Sequence, residues 1–182
     1  MKMRLLVIGS LAVLAPLALW GMGKRSSDPP LEVVPKVDLE RYMGTWYEIA
    51  RFPHRFEKGC VAAKATYALQ KNGTVDVLNQ CRLDRSDGPV KTARGIARVV
   101  DATTRAKLKV TFFWPFYGDY WIIDLGDDYD YAVVGHPGRK YLWILSRTPI
   151  MDDALYGRLL ERIASKGYDP SCLVKTPQPE KG

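Results

Sequence analysis

From residue 43 to residue 148 the chain is a succession of short segments in which apolar and polar residues alternate, with turn residues between them. In a strand successive side chains point to opposite faces, so each segment reads as a strand with one buried face. "CVAAKATYAL" meets "VDVLNQC" across "QKNGT", where Asn72-Gly73 suits a two-residue hairpin turn. "VDVLNQC" puts Val75, Val77, Asn79 and Cys81 on one face. "AKLKVTFFW" sets Leu108, Val110, Phe112 and Trp114 against Lys107, Lys109, Thr111 and Phe113. "MGTWYEIARF", "KTARGIARVV", "DYWIIDL", "YAVVG" and "KYLWILSR" bring the set to eight, and "PFYG" reads as a loop.

Eight antiparallel strands in simple succession leave two edges unless the sheet closes on itself. The expected fold is therefore all-β, an eight-stranded antiparallel up-and-down β-barrel. A two-sheet sandwich is the alternative, disfavoured by the lack of long crossovers. An eight-stranded barrel either fills with side chains or holds one small ligand. After the strands, "MDDALYGRLLERIASKGYD" places Leu155, Leu159 and Ile163 at helical spacing, with Asp152 or Asp153 to start the helix and Gly167 to stop it. This C-terminal α-helix is expected to pack outside the barrel. "SCLVK" then suits a short returning strand at the sheet edge.

The chain has 182 residues, the size of one domain. Its net charge of +7 is spread without a basic run, and no nucleic-acid partner is expected. Residues 1–23 hold Lys2 and Arg4 ahead of an apolar run from Leu5 to Gly23. They read as a signal peptide or an N-terminal membrane anchor, and either delivers the domain beyond the cytoplasm, to periplasm or outer membrane. No cysteine follows the run, so a lipid-modified N-terminal cysteine is excluded. Residues 24–36, polar and proline-bearing, read as a linker. Of Cys60, Cys81 and Cys172, two are expected to pair in an oxidising compartment. With a two-residue turn at Asn72-Gly73, Cys60 would face residue 85, about 13 Å along the strand from Cys81. Either a bulge restores that pair or Cys172 is the partner, and both pairings stay open.

Three stretches together resemble the lipocalin family: "GTWYEIARF", "DDYDYAVV" and "YLWILSRTP". The likeness covers about residues 37–178 and points to the bacterial outer-membrane and apolipoprotein D-like branches. It implies that Gly44, Trp46 and Arg147 are structural, with Arg147 lying over the Trp46 ring and closing the barrel floor. A short 3₁₀ turn around Asp38, Leu39 and Tyr42 would plug the same end.

Fixing Trp46 inward places Glu48 and Ala50 inward by alternation, with Tyr47 and Ile49 outward. Fixing Arg147 at the floor puts Trp143 and Leu145 on the inner face. The resemblance implies a ligand site made of Tyr67, Asn79, Phe112, Trp121, Trp143 and Leu145. The ligand it implies is small and hydrophobic, a fatty acid or lysophospholipid, bound, stored or transported in the bacterial cell envelope. Glu48 would repel a carboxylate unless protonated or paired. Phe116 and Tyr117, at one rim, suit contact with a ligand, a membrane surface or simply the loop itself. His54 and His136 read as surface histidines near strand ends, and neither a metal nor a cofactor is expected. The competing reading is a lipocalin-fold enzyme, isomerase-like, using the inward Cys81 thiol; no base is visible beside it, and a non-enzymatic role is preferred.

Overall fold

Asp38 caps a single helical turn, α1 (Leu39–Tyr42), by accepting from the Glu40 and Arg41 backbone N–H groups, and the chain then enters the first strand. The computed structural model describes residues 29–179, so the expectations for residues 1–23 and for the start of the linker lie outside the described residues. The strands are β1 (Gly44–Arg51), β2 (Cys60–Leu69), β3 (Val75–Leu83), β4 (Val90–Val99), β5 (Lys107–Phe113), β6 (Phe116–Leu125), β7 (Tyr131–Gly135) and β8 (Leu142–Ser146). Helix α2 (Asp153–Ser165) and a two-residue strand, β9 (Val174–Lys175), follow. Each barrel strand pairs antiparallel with its neighbour in sequence, and β1 pairs with both β8 and β2, which closes the barrel. The loop expected at "PFYG" is shorter than that: Phe116 and Tyr117 already belong to β6, and Phe113 pairs with Phe116.

The start of β1 and the end of β8 meet at a sealed floor. The Arg147 guanidinium lies 3.8 Å over the centre of the Trp46 ring. It donates to three backbone carbonyls, Thr45 at 2.9 Å, Arg41 at 2.8 Å and Tyr129 at 3.2 Å. The Trp46 indole N–H donates to the Tyr42 carbonyl at 2.8 Å, which ties α1 across the opening. Gly44 sits at φ +92°, and a Cβ there would stand 3.3 Å from the Arg147 Nη1, so glycine suits the backbone and the space together.

Among the described residues the buried apolar side chains form two large clusters and a small third one of Cys60, Ala63 and Cys81. The inner one holds Trp46, Tyr67, Val77, Leu108, Ile122 and Leu145. The outer one packs Ile49, Ile144, Leu142 and Ile123 of the wall against Leu159 and Ile163 of α2. Alternation along β1 does not survive its whole length. A register shift between Glu48 and Ala50 brings Ala50 opposite Ile144, in the outer cluster, and Arg51 opposite Trp143. The inward placement of Ala50 is thereby corrected: one extra residue flips every side chain after it.

Past Tyr47, β1 leaves β2, and the tail enters the gap. β9 pairs with Ala50 and Arg51, the Thr176 N–H donates to the Ile49 carbonyl, and the Ala62 N–H donates to the Pro177 carbonyl at 2.7 Å. The Gln178 amide donates to the Glu48 and Ala63 carbonyls, each at 2.8 Å. The returning strand is therefore wedged into the wall between β1 and β2.

The disulfide joins Cys60 to Cys81, with Cα atoms 5.5 Å apart, and leaves Cys172 free and exposed. The register explains why simple counting missed it. Gln70 rather than Lys71 faces Thr74, giving a three-residue turn with Gly73 at φ +82°. A second shift between Val61 and Lys64, where Ala62 takes φ +50°, moves Cys60 opposite Leu83. Cys81 is then the diagonal neighbour on the same face, within bridging distance.

Replacing Arg147 with methionine removes the charge over Trp46 and leaves three carbonyls without their donor. Unfolding in urea is expected to show a loss of about 3 kcal/mol. Lysine, lacking the planar fork, is expected to recover less than half of it.

Candidate functional site

The barrel interior changes character from floor to mouth. Just above Trp46, the hydroxyls of Tyr42, Tyr120 and Tyr67 form a chain, Tyr42 to Tyr120 at 2.8 Å and Tyr67 to Tyr120 at 3.0 Å. Tyr42 and Tyr67 are buried and Tyr120 partly buried among apolar residues, and loss of water pushes the Tyr67 hydroxyl up to about 12 and the other two well above their ordinary value. They remain neutral donors and acceptors at any physiological pH. Val75, Val77, Ala97, Leu108, Ala132, Val134 and Leu145 fill the space around them.

Higher up, the inner wall is lined by small or sparsely packed residues. Asn79 faces Ala93 and Val77 faces Gly95 across the β3–β4 pair. Ala93 is exposed, and Asn79, Ala65, Gly95 and Trp143 are only partly buried, so this half is not closed by its own side chains. The Asn79 Oδ1 is buried without a hydrogen-bond partner among the described residues. The Phe112 ring lies against Gly95, where an added Cβ would come within 2.8 Å of it.

On the β1–β8 side a charged cluster borders this space. The Arg51 Nη1 donates to the Glu48 carboxylate at 2.7 Å and to the Thr176 hydroxyl at 2.8 Å; Thr176 donates in turn to Glu48. The Arg51 Nε stands 3.1 Å from Glu57, and its Nη2 donates to the Glu57 carbonyl at 3.0 Å. One guanidinium thus joins β1, the 3₁₀ turn Arg55–Glu57 in the β1–β2 loop, and the C-terminal tail. Glu48 faces inward as expected, but it is neutralised by Arg51. Burial, together with the neighbouring Glu48 carboxylate, raises the Glu57 carboxyl to about 8, so it is neutral at pH 7.

His54 departs from the surface reading. Its side chain is 7% exposed, packed edge-on against Tyr141 and Trp143, and neither ring nitrogen has a hydrogen-bond partner among the described residues. Burial lowers its pKa. The cause of the misreading is the β1–β2 loop, which folds inward over the mouth and takes His54 with it. His136 is half-buried near the rim, accepting from the Gly138 N–H through Nδ1 at 3.0 Å.

Of the six residues expected at the ligand site, Tyr67, Asn79, Phe112, Trp143 and Leu145 lie on the inner face. Trp121 does not. It packs against the outer cluster, with the Lys107 Nζ 4.5 Å above its ring, because Tyr120 and Ile122 take the inward positions of β6. Trp114, expected as the last of the inner set, lies just past the end of β5 and is 77% exposed. Tyr42 lies in the turn expected to plug the floor; Tyr120, Arg51 and Glu57 were not anticipated at the site, and His54 was expected at the surface. Only Tyr120 had a readable signal, its alternation with Ile122.

This is a small β-barrel with a sealed floor, a packed lower half and an upper half open toward one end, braced outside by helix α2. The chain belongs to the lipocalin family: residues 37–178 match the family model described as a lipocalin-like domain. It is 45% identical over 157 residues to temperature-induced lipocalin-1 of Arabidopsis thaliana, covering 81% of this chain and 83% of the relative. Against the outer membrane lipoprotein Blc of Escherichia coli (strain K12) it is 44% identical over 156 residues, covering 85% and 88%. Apolipoprotein D of Macaca fascicularis is 36% identical over 191 residues, covering 98% and 96%. Among solved structures, insecticyanin of the tobacco hornworm Manduca sexta superposes with a TM-score of 0.68 at 22% identity, over 84% of this chain and 87% of that one, a likeness of fold.

Between the ordinary glutamate value of 4.5 and about 8, the folded chain keeps on Glu57 a proton that the unfolded chain has released. Stability contributed by this group therefore falls as pH rises through that window and is level above it. Neutral buried His54 gives the opposite slope below its ordinary value of 6.5. The melting temperature of Glu57→Gln is accordingly expected to decline less than that of the wild type from about pH 6.5 to about pH 8.5, measured by circular dichroism.

Proposed function

We propose that the protein binds and carries a small hydrophobic ligand, a fatty acid or a lysophospholipid, in the upper half of its barrel. The observation that carries this reading is the contrast within one interior: a lower half filled by tyrosines and aliphatic residues, and an upper half lined by Ala65, Ala93, Gly95, Phe112 and Trp143 that stays accessible. Binding sites of this kind are apolar with few polar anchors. The unpartnered Asn79 Oδ1 and the neutral Glu57 carboxyl supply such anchors, and Glu48, already held by Arg51, does not repel an acidic headgroup. Burying about ten methylenes contributes roughly 8 kcal/mol before the costs of association, enough for micromolar binding.

The setting we propose is the bacterial cell envelope. The outer membrane lipoproteins among the relatives, the apolar N-terminal run and the Cys60–Cys81 disulfide support it. No helix among the described residues is long and apolar enough to cross a membrane. The function is read as binding rather than catalysis, because the Cys81 sulfur that an isomerase-like reaction would use is bonded to Cys60.

Titration with lysophosphatidylethanolamine is expected to give a saturable change in tryptophan fluorescence at micromolar lipid. Trp143→Ala should weaken binding about tenfold and Trp121→Phe should leave it unchanged. A flat titration of the wild type would refute the carrier reading. Cys60→Ser and Cys81→Ser are expected to behave alike, each losing about 3 kcal/mol of stability and keeping lipid affinity. A property lost in Cys81→Ser and kept in Cys60→Ser would restore the enzymatic reading.

A further inference from the structure

We infer that the open end of the barrel docks on an anionic lipid bilayer, with the tip of the β5–β6 hairpin seated at headgroup depth. In an up-and-down barrel alternate loops share an end. The floor lies at the start of β1, so the β1–β2, β3–β4, β5–β6 and β7–β8 loops surround the mouth. The β5–β6 tip carries Phe113, Trp114 and Phe116, exposed to 74%, 77% and 71%. The Phe113 and Phe116 rings are stacked 6.4 Å apart and present one flat apolar face. Phe56, on the β1–β2 loop at the same end, is 59% exposed. Aromatic side chains of this kind favour the boundary between water and acyl chains.

Charge selects the surface and the orientation. At the mouth, Arg55, Lys58, Lys91 and Lys140 are exposed and form no ion pair with another described residue, while Arg85 is paired with Asp87. Asp84 is the one exposed acid left over there among these loops. The floor carries the opposite sign: Asp38, Glu40, Asp101, Asp127, Asp128 and Asp130 outnumber Arg41, Lys71, Arg105 and Arg147. An anionic membrane therefore attracts the mouth and repels the floor. Arg55 lies 5.1 Å over Phe56, placing a cation beside an aromatic ring, as residues at a headgroup layer do. A second copy of the chain is a poorer occupant. The tip offers a handful of residues, against about 20–30 a side in a stable protein interface. The surface is independent of what the barrel carries.

The test is hydrogen–deuterium exchange of the full chain, alone and with vesicles. One set contains phosphatidylglycerol and phosphatidylethanolamine, the other phosphatidylcholine. Segments 112–117 and 54–58 are expected to exchange about tenfold more slowly on the anionic vesicles and as in solution with phosphatidylcholine. Brominated lipid should quench a fluorescence component that is absent in Trp114→Phe. Lys58→Glu combined with Lys140→Glu should abolish most of the protection, with the circular dichroism spectrum unchanged. Three results would overturn the inference. The chain could sediment with vesicles while these segments exchange freely, which assigns binding to another part of the molecule. Equal protection on both vesicle types would remove the role of charge. Protection without vesicles that grows with protein concentration would assign the tip to a second copy.

Discussion

One guanidinium organises the closed end of this molecule. Arg147 follows the last strand of the barrel, yet its three donors reach the start of the first strand, the turn before it and the β6–β7 loop. These carbonyls belong to a helical turn, a strand start and a loop, and one charged fork satisfies all three at once. The Trp46 ring fills the space beneath and receives the cation on its face. With the floor held this way, the lower interior can pack as a solid core, and the tyrosine hydroxyls satisfy one another instead of requiring water.

The other end is built on a second arginine used differently. Arg51 is turned inward only because β1 gains a residue at Ile49, and it gathers Glu48, Glu57 and Thr176 around itself. The same irregularity lets β1 part from β2 and admit the tail. The mouth therefore rests on a buried polar network, and the floor on apolar packing under a single cation. A buried network loses its balance when one proton leaves, whereas the floor is closed by an arginine and by tyrosines that burial holds in the protonated form. The two ends of one barrel thus respond to different conditions.

Most of the architecture was legible from alternation, because each strand has one face in the core and one in water. Val75, Val77, Leu108 and Leu145 sort correctly by parity alone. Parity failed where a strand departs from period two. Ala50 and Cys60 lie next to register shifts, and no residue type announces a bulge at Ile49 or a left-handed Ala62. Trp121 failed for another reason: a large aromatic residue suits either face, and only the pairing of β6 with its neighbours decides which. His54 and Glu57 were unreadable because a loop carries no period, and their burial depends on where the loop folds over the mouth. The site was thus legible to the extent that strands build it.

The wedge of residues 174–178 between β1 and β2 has a consequence in time. Those residues are synthesised after every barrel strand, and β1 also waits for β8 nearly the whole domain away. The first strand formed is therefore the last to have both neighbours, and the growing chain has no complete wall to close. An order of this kind leaves the barrel unclosed until β8 has been made, and leaves the upper part of β1 short of a neighbour until the tail follows.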